Sequence, residues 1–332
     1  MRRVARVWAW MLLVAALFAP LLANDVPLVA RVDGQLRVPA LASYVGAAWE
    51  ASGPRDDRVQ TWREWWAELP ATGGPGADWA VMPPWPYGPL MERDLANRNA
   101  GPSLAHPLGT DDVGRDLLSR MLWGASRALL VGAGAVIVAV AIGLPLGAVA
   151  GYAGGGFDAA VTLLIEVFLC FPALFLVLAI AAFMSSSLLA VVLVLGAVSW
   201  PSFARLVRGE FLSLREREFV LAARGLGVPG WRVVTRHMLP QVGGLLRAQA
   251  ALLFAAAVVA EATLAFLGLG AGESWGAILA RSREPAIDGA WHGWLFPSLA
   301  VASTVWCLHA LAAPRPLVSL GATPTARPRP DR

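Results

Sequence analysis

Long apolar runs separated by short charged stretches set the organisation of this chain. Residues 128–152 and 167–204 contain no Asp, Glu, Lys or Arg. A helix needs about 20 apolar residues to cross a bilayer. The second run is therefore long enough for two crossings, divided near Met184-Ser185-Ser186-Ser187. The same reading over the whole chain predicts six spans, at residues 5–23, 128–151, 159–182, 188–206, 247–270 and 293–313. Phe171-Pro172 falls inside the third and should kink it, because proline removes a helical hydrogen bond. The predicted fold class is an all-α polytopic membrane protein with six transmembrane helices. A composition of 57% hydrophobic and 15% charged residues agrees.

Between spans four and five, residues 207–246 have a different character. They are rich in arginine and read as a compact helical pair. Gly225, Gly227, Pro229 and Gly230 fall within six positions and break the pair in the middle. Pro229 suits the first turn of the second helix, where its missing N–H costs nothing. Pro240 is expected to stop that helix, with Arg236 and His237 favouring the negative end of its dipole.

Charge fixes the expected orientation. The chain has no lysine, so its 27 basic residues are all arginine. Three (Arg2, Arg3 and Arg6) lie at the amino terminus, eight in residues 205–247 and four after residue 313, whereas the short loop 271–292 has two; the other ten are in residues 24–127, a segment long enough to translocate largely regardless of charge. By the positive-inside rule, both termini and the helical pair face the cytoplasm. The net charge of +4 thus reflects topology, and no basic-aromatic patch points to nucleic acid. Residues 1–23 read as an uncleaved anchor, since Leu21 at the −3 position disfavours signal-peptide cleavage. The tail 314–332 is Pro- and Arg-rich, and from Gly321 it reads as disordered.

Residues 24–127 form the predicted extracytoplasmic segment, small and loop-rich. Within residues 24–105, Trp49, Trp62, Trp65, Trp66, Trp79 and Trp85 are expected to fill a small core or to sit at the headgroup level. The charge run at residues 55–58 reads as a solvated face. Next, Thr110 or Asp111 could cap an amphipathic helix lying on the outer membrane surface. It would place Leu117, Leu118, Met121 and Leu122 against lipid, with Arg115, Ser119 and Arg120 nearer the other side. Asp111, Asp112 and Asp116 lack the glycine spacing and closing Glu of a calcium loop, so no metal is expected. Cys170 and Cys307 both fall inside predicted spans and form no disulfide framework.

Three motifs then carry a family resemblance. Leu221-Ala222-Ala223, Gly227, His237 and Leu239-Pro240 resemble the coupling loop of ATP-binding-cassette (ABC) importer permeases, with Leu and His in place of its Glu and Ile. Arg224 and Arg236 sit where the dipeptide/oligopeptide branch favours arginine. That branch also carries motifs similar to His106-Pro-Leu-Gly-Thr-Asp-Asp-Val-Gly-Arg-Asp116 and Glu261-Ala-Thr-Leu-Ala-Phe-Leu-Gly-Leu-Gly270. In the first, Gly109, Thr110, Asp111, Gly114, Arg115 and Asp116 are the matching positions. Asn24-Asp-Val-Pro-Leu-Val and Met82-Pro-Pro-Trp-Pro-Tyr87 resemble the microcin-C-type subgroup, which has an enlarged outer segment. The resemblance covers residues 106–270. One departure follows the last span, where Ala310-Leu-Ala-Ala-Pro replaces an acidic family stretch.

The resemblance implies a C-type permease of the bacterial cytoplasmic membrane, its core spanning residues 128–313. It implies as partners a B-type permease, two cytoplasmic ATPases, an extracytoplasmic substrate-binding protein and the lipid bilayer. The small Ala222, Ala223 and Gly227 would seat the coupling helix in an ATPase groove, with Arg224 and Arg236 at its acidic rim. Glu166 and Glu261 are candidate path-lining residues, because a carboxylate inside a membrane normally faces protein or water. The Ala-rich neighbours of Glu261 favour helix packing for that one, and His309 reads as a packing residue. A P-loop needs a lysine, and this chain has none, so ATP hydrolysis belongs to separate subunits and no cofactor is expected. An ATP-independent secondary transporter or channel is the alternative. It would call for paired intramembrane charges or broken helices in two matching halves.

Overall fold

Helix α1 (Arg2–Leu22) opens the chain and packs along two later helices. A computed structural model describes residues 2–40, 62–68, 78–89, 95–183, 187–270 and 272–313. Trp49, the charge run at 55–58 and the tail 314–332 lie outside the described residues.

The segment after α1 is not wholly loop. Strands β1 (Val29–Val32), β2 (Gln35–Arg37) and β3 (Trp79–Val81) pair antiparallel in the order β2-β1-β3. Asp33-Gly34 makes the two-residue turn of the first hairpin. Helix α2 (Trp62–Glu68) covers the sheet and buries Trp62 and Trp65 against Val26, Ala30 and Val32. The two indoles meet edge-to-face, with centroids 5.7 Å apart. Trp62 and Trp65 fill a small core as expected, whereas Trp66 and Trp79 are exposed.

Helices α3 (Leu117–Ala153), α6 (Leu188–Leu214), α8 (Gly230–Phe266) and α11 (His292–Ala312), together with α1, are each long and apolar enough to cross a membrane. The predicted third span is a bent pair, α4 (Gly155–Cys170) and α5 (Ala173–Ala181), turned by 81° at Phe171-Pro172, which together are long and apolar enough for a broken span. Five of the six predicted spans are present as such helices, and the third corresponds to the bent pair; most begin earlier than predicted, and four end one to four residues sooner. Short helices α7 (Glu218–Gly225), α9 (Trp275–Arg281) and α10 (Arg283–Ile287) complete the chain.

Two expectations need correction. There is no separate interfacial helix before the second span. Asp116, not Thr110 or Asp111, caps α3 by accepting a hydrogen bond from the Ser119 N–H, and the helix then runs unbroken to Ala153. Ser119 and Arg120 are fully buried, so that face cannot be the solvated side of a surface helix. Nor does Pro240 stop a helix. It stands in the first turn of the α-helical stretch that begins at Leu239, directly after a π-helical stretch, Val233–Met238. The wider turn absorbs the proline ring and its missing donor, and α8 continues for the length of a span.

The largest helix–helix interface among the described residues joins α3 to α6. Gly143, Gly147 and Gly151 recur every four residues on one face of α3. A Cβ at each would lie 2.8 Å from the Trp200 carbonyl oxygen, 2.5 Å from the Ala204 carbonyl oxygen and 2.6 Å from the Phe211 Cβ, respectively. The two backbones therefore approach more closely than any side chain permits, as small-residue seams allow in lipid. Around the seam, Ala139, Ala148, Phe203, Val207, Phe211, Val220, Val233 and Met238 belong to one core cluster.

Overpacking such a seam typically costs about 1–3 kcal/mol. Gly147→Val should lower the thermal unfolding midpoint of the detergent-solubilised protein by several degrees. Gly243→Ala, where a Cβ meets open space, should leave it near the wild-type value. Equal midpoints for the two variants would count against the seam.

Candidate functional site

Residues 97–120 fold back on themselves and bury a network of charges at the start of α3. Gly109 adopts a φ of +85°, and a Cβ there would meet the His292 ring at 2.6 Å and the Ala100 carbonyl oxygen at 2.7 Å. Only glycine satisfies both constraints. The Thr110 hydroxyl donates to the Asn97 carbonyl and accepts from the Ala100 N–H. His292, buried at the start of α11, bonds the Thr110 carbonyl oxygen through Nε2 at 2.9 Å. Asp111 Oδ1 accepts from the N–H groups of Val113 and Arg115 and so shapes the turn.

The other Asp111 oxygen meets cations. Arg115 Nε donates to it at 2.8 Å and Arg120 Nη1 at 2.5 Å. Glu273, just before α9, accepts from Arg120 Nε at 2.9 Å and from Arg115 Nη1 at 3.3 Å. Arg120 is 0% exposed. Asp116 closes the cluster, taking the His106 Nδ1 and Trp85 Nε1 contacts at 2.9 Å besides capping α3. The motif at 106–116 is thus a clamp that ties the outer segment, α3, α9 and α11 together. Asp111 is engaged by arginine and Asp116 by histidine and tryptophan, whereas the buried Oδ1 of Asp112 has no hydrogen-bond partner among the described residues. Among the described residues there is no cluster of groups able to hold a metal ion. Arg120 and Glu273 are essential to the clamp yet were not singled out in the sequence. Arg120 reads as one more polar position on an amphipathic helix, and Glu273 stands 153 residues away from it.

The second region is the turn between α7 and α8. Gly227 has a φ of +75° and ends α7 in the left-handed conformation. The Val228 N–H reaches the Ala223 carbonyl at 3.1 Å and the Gly227 N–H reaches the Arg224 carbonyl at 3.0 Å. This pair of bonds is a Schellman ending, and it satisfies carbonyls that would otherwise be orphaned. Val228 packs on the core cluster that holds Ala223, Val220 and Met238. Arg224 stacks over the Tyr152 ring of α3, 5.5 Å from its centroid.

These contacts separate the coupling-loop residues into two groups. Ala223 points inward and is buried. Ala222, Arg224, Gly227, Arg236 and Pro240 are exposed, with His237 and Leu239 partly so. Three large apolar side chains on this turn are also exposed: Leu226 is 84% exposed, Trp231 66% and Leu221 53%. These three escape a reading that looks for small residues. The signal for them is bulky apolar positions in an otherwise charged loop.

The two intramembrane carboxylates have different settings. Glu261 is buried, with Ser274 and Arg127 beside it. Glu166 is exposed on α4. Nearby, Asp158 of α4 grips Arg208 of α6 through two bonds, at 2.5 and 2.8 Å. The string Gly272-Glu273-Ser274-Trp275-Gly276 matches the letters of a nucleophile elbow. Ser274, however, is buried and caps α9 by accepting from the Ala277 N–H, with no strand before it.

Residues 143–313 match the family of binding-protein-dependent transport system inner membrane components. The chain belongs to this family. The permease is 38% identical over 224 residues to a dipeptide transport system permease protein of Alkalihalophilus pseudofirmus, covering 65% of this chain and 73% of the relative. It is 36% identical over 229 residues to a glutathione transport system permease protein of Pectobacterium atrosepticum, covering 68% and 76%. An inward-facing structure of the MetNI methionine ABC transporter superposes with a TM-score of 0.50 at 18% identity, over 59% of this chain and 93% of that one. That likeness shows the shared fold. The permease is therefore a multi-pass membrane protein with a transport role.

Removing one partner from a buried ion network costs about 3–5 kcal/mol. Arg120→Met should consequently destabilise the detergent-solubilised permease strongly. Arg120→Met combined with Glu273→Gln removes one charge of each sign, leaves Asp111 with Arg115, and should recover much of the loss. A single variant that melts with wild type would show that the clamp carries little stability.

Proposed function

We propose that this permease is one half of the translocation path of an ABC importer for peptides, and that the α7–α8 turn is its ATPase docking element. The observation that carries this reading is the projecting apolar trio Leu221, Leu226 and Trp231 on a turn braced from behind by Ala223, Val228 and Tyr152. A soluble turn between two spans has no reason to present large apolar side chains unless a partner covers them. The peptide assignment rests on the relatives' dipeptide and glutathione transport systems. A second, B-type permease completes the path, two cytoplasmic ATPases supply the energy, and an extracytoplasmic binding protein delivers the substrate. Ala222, Gly227 and Arg236 border the docking surface, whereas Ala223 supports it from within.

The arginine distribution favours an orientation with the α7–α8 turn in the cytoplasm and the clamp outside, in the bacterial cytoplasmic membrane. Residues at the outer clamp then contact the delivered substrate or its binding protein, while the turn carries the ATPases' closing motion to α6 and α8.

Loss of a central apolar anchor typically costs about 2 kcal/mol or more, roughly thirtyfold in affinity. Leu226→Asp with Trp231→Ala should abolish co-purification of the ATPase subunits and stop uptake, with membrane insertion unchanged. Full ATPase recovery with the double variant would remove the docking role from this turn.

Orientation has its own test. In a background with Cys170 and Cys307 replaced by Ala, Leu104→Cys and Asp288→Cys should be labelled by an impermeant thiol reagent added outside intact cells. Ser213→Cys should react only after the membrane is opened. The reverse pattern would put the docking turn on the wrong side.

A further inference from the structure

Helices α4 and α5 form the one broken crossing among the described residues, and the break is open. Phe171 and Pro172 are extended there, with ψ of 133° and 122°, and the two helices meet at 81°. The proline has no N–H to give, and no side chain caps α5. The last turn of α4 and the first of α5 therefore carry backbone C=O and N–H groups with no further turn to pair with. Residues 169–175 are all exposed. Five residues before the break stands Glu166, likewise exposed, with no hydrogen bond or ion pair among the described residues. Arg208, whose field reaches Glu166, already gives two bonds to Asp158.

Depth separates these groups from the solvated charges near the membrane surface. Glu166 lies eight residues, about 12 Å of helix, beyond the Asp158–Arg208 pair, and Phe171 about 20 Å beyond it. The hydrocarbon core is about 30 Å thick. Both features are thus inside the bilayer whichever way the chain faces. Lipid can satisfy neither a carboxylate nor open backbone, and each is tolerated at this depth only against protein or water. None of the described residues covers them. An apolar helix of a partner would seal the elbow without supplying donors, whereas water supplies them to carboxylate and backbone alike.

We propose that the α4–α5 elbow lines the water-filled translocation path and that Glu166 is a cation subsite on it, taking the terminal ammonium of a passing peptide. Glu166 is the only Asp, Glu, Lys or Arg between Asp158 and Arg205, so the group complementary to this stretch of the path is cationic. The open backbone groups keep the elbow wet, and the carboxylate gives it its sign. The inference rests on the permease reading above and adds to it the residue that senses the peptide's charge.

The test has two arms. In the first, Phe171→Cys is introduced with Cys170 and Cys307 replaced by Ala. The importer assembled in lipid nanodiscs is treated with a cationic and an anionic methanethiosulfonate of similar size, without nucleotide and again with ATP and vanadate. A wet elbow beside Glu166 should react in at least one state. Relative to free thiol it should favour the cationic reagent by about fivefold, and Glu166→Gln should abolish that preference. No reaction in either state would show the elbow sealed by lipid or a partner helix and would overturn the proposal, as would the same ratio with and without Glu166. In the second arm, ATP-driven uptake of labelled dialanine is measured in vesicles holding the whole importer. The loaded binding protein is kept saturating, so that its own selectivity drops out. Glu166→Gln should lower the maximal rate about tenfold, with half-saturation by the binding protein unchanged, and Glu166→Asp should retain most of the rate. A wild-type rate in Glu166→Gln would overturn the subsite and leave the permease reading standing. No ATP-driven dialanine uptake by the wild-type importer would instead remove the peptide assignment, and the ammonium subsite with it.

Discussion

The close approach of α3 and α6 is the constraint on which the rest of this molecule depends. Lipid offers no hydrophobic drive for helix association, so the seam must gain its stability from packing. Gly143, Gly147 and Gly151 let the α3 backbone lie directly against the carbonyls of Trp200, Ala204 and Arg208. Helices α1, α4 and α8 pack on that pair, and α11 in turn packs on α1 and α8. Helix α4 is fastened to α6 by the Asp158–Arg208 pair, and α1 and α8 each pack along α3.

Helix α3 also links the two ends of the protein. Its first turn is locked in the clamp through Asp116, Ser119 and Arg120. Its last turn presents Tyr152 to the docking turn, where Arg224 stacks on the ring and a Cβ at Gly230 would lie 3.0 Å from it. A continuous helix of 37 residues spans the distance between them. On the proposed docking role, a push on the turn should move α3, α6 and the clamp together. Packed helices behave as rigid bodies that shift as units rather than bend.

Five apolar spans, the bend at Phe171-Pro172 and the break at Gly227 are legible in the sequence. Each is written in local composition: apolar length, a proline, a glycine that alone adopts the left-handed conformation cheaply. What was not legible depends on partners distant in the chain. Arg120 reads as the polar side of a surface helix until Glu273 is brought beside it. Pro240 reads as a helix stop until the π stretch before it is seen to absorb the ring. The glycine seam is visible as a spacing, but nothing local says that the facing helix is α6. In the α7–α8 turn, the small residues are legible as a pattern, but that Ala223 faces inward while Leu226 and Trp231 are exposed depends on the packing. The Ala-rich neighbours of Glu261 are legible in the sequence, but its burial beside Arg127 and Ser274 depends on partners distant in the chain.

Rigidity from docking turn to clamp is the central claim, and pulsed electron spin resonance measures it directly. Spin labels at Gly225→Cys and Asp288→Cys, again with Cys170 and Cys307 replaced by Ala, report the distance between the two ends of one chain within the assembled importer. The distance should be the same with and without bound ATP, while the distance from Gly225→Cys to a label on the second permease changes. A shift of several ångströms within the single chain on ATP binding would contradict the account.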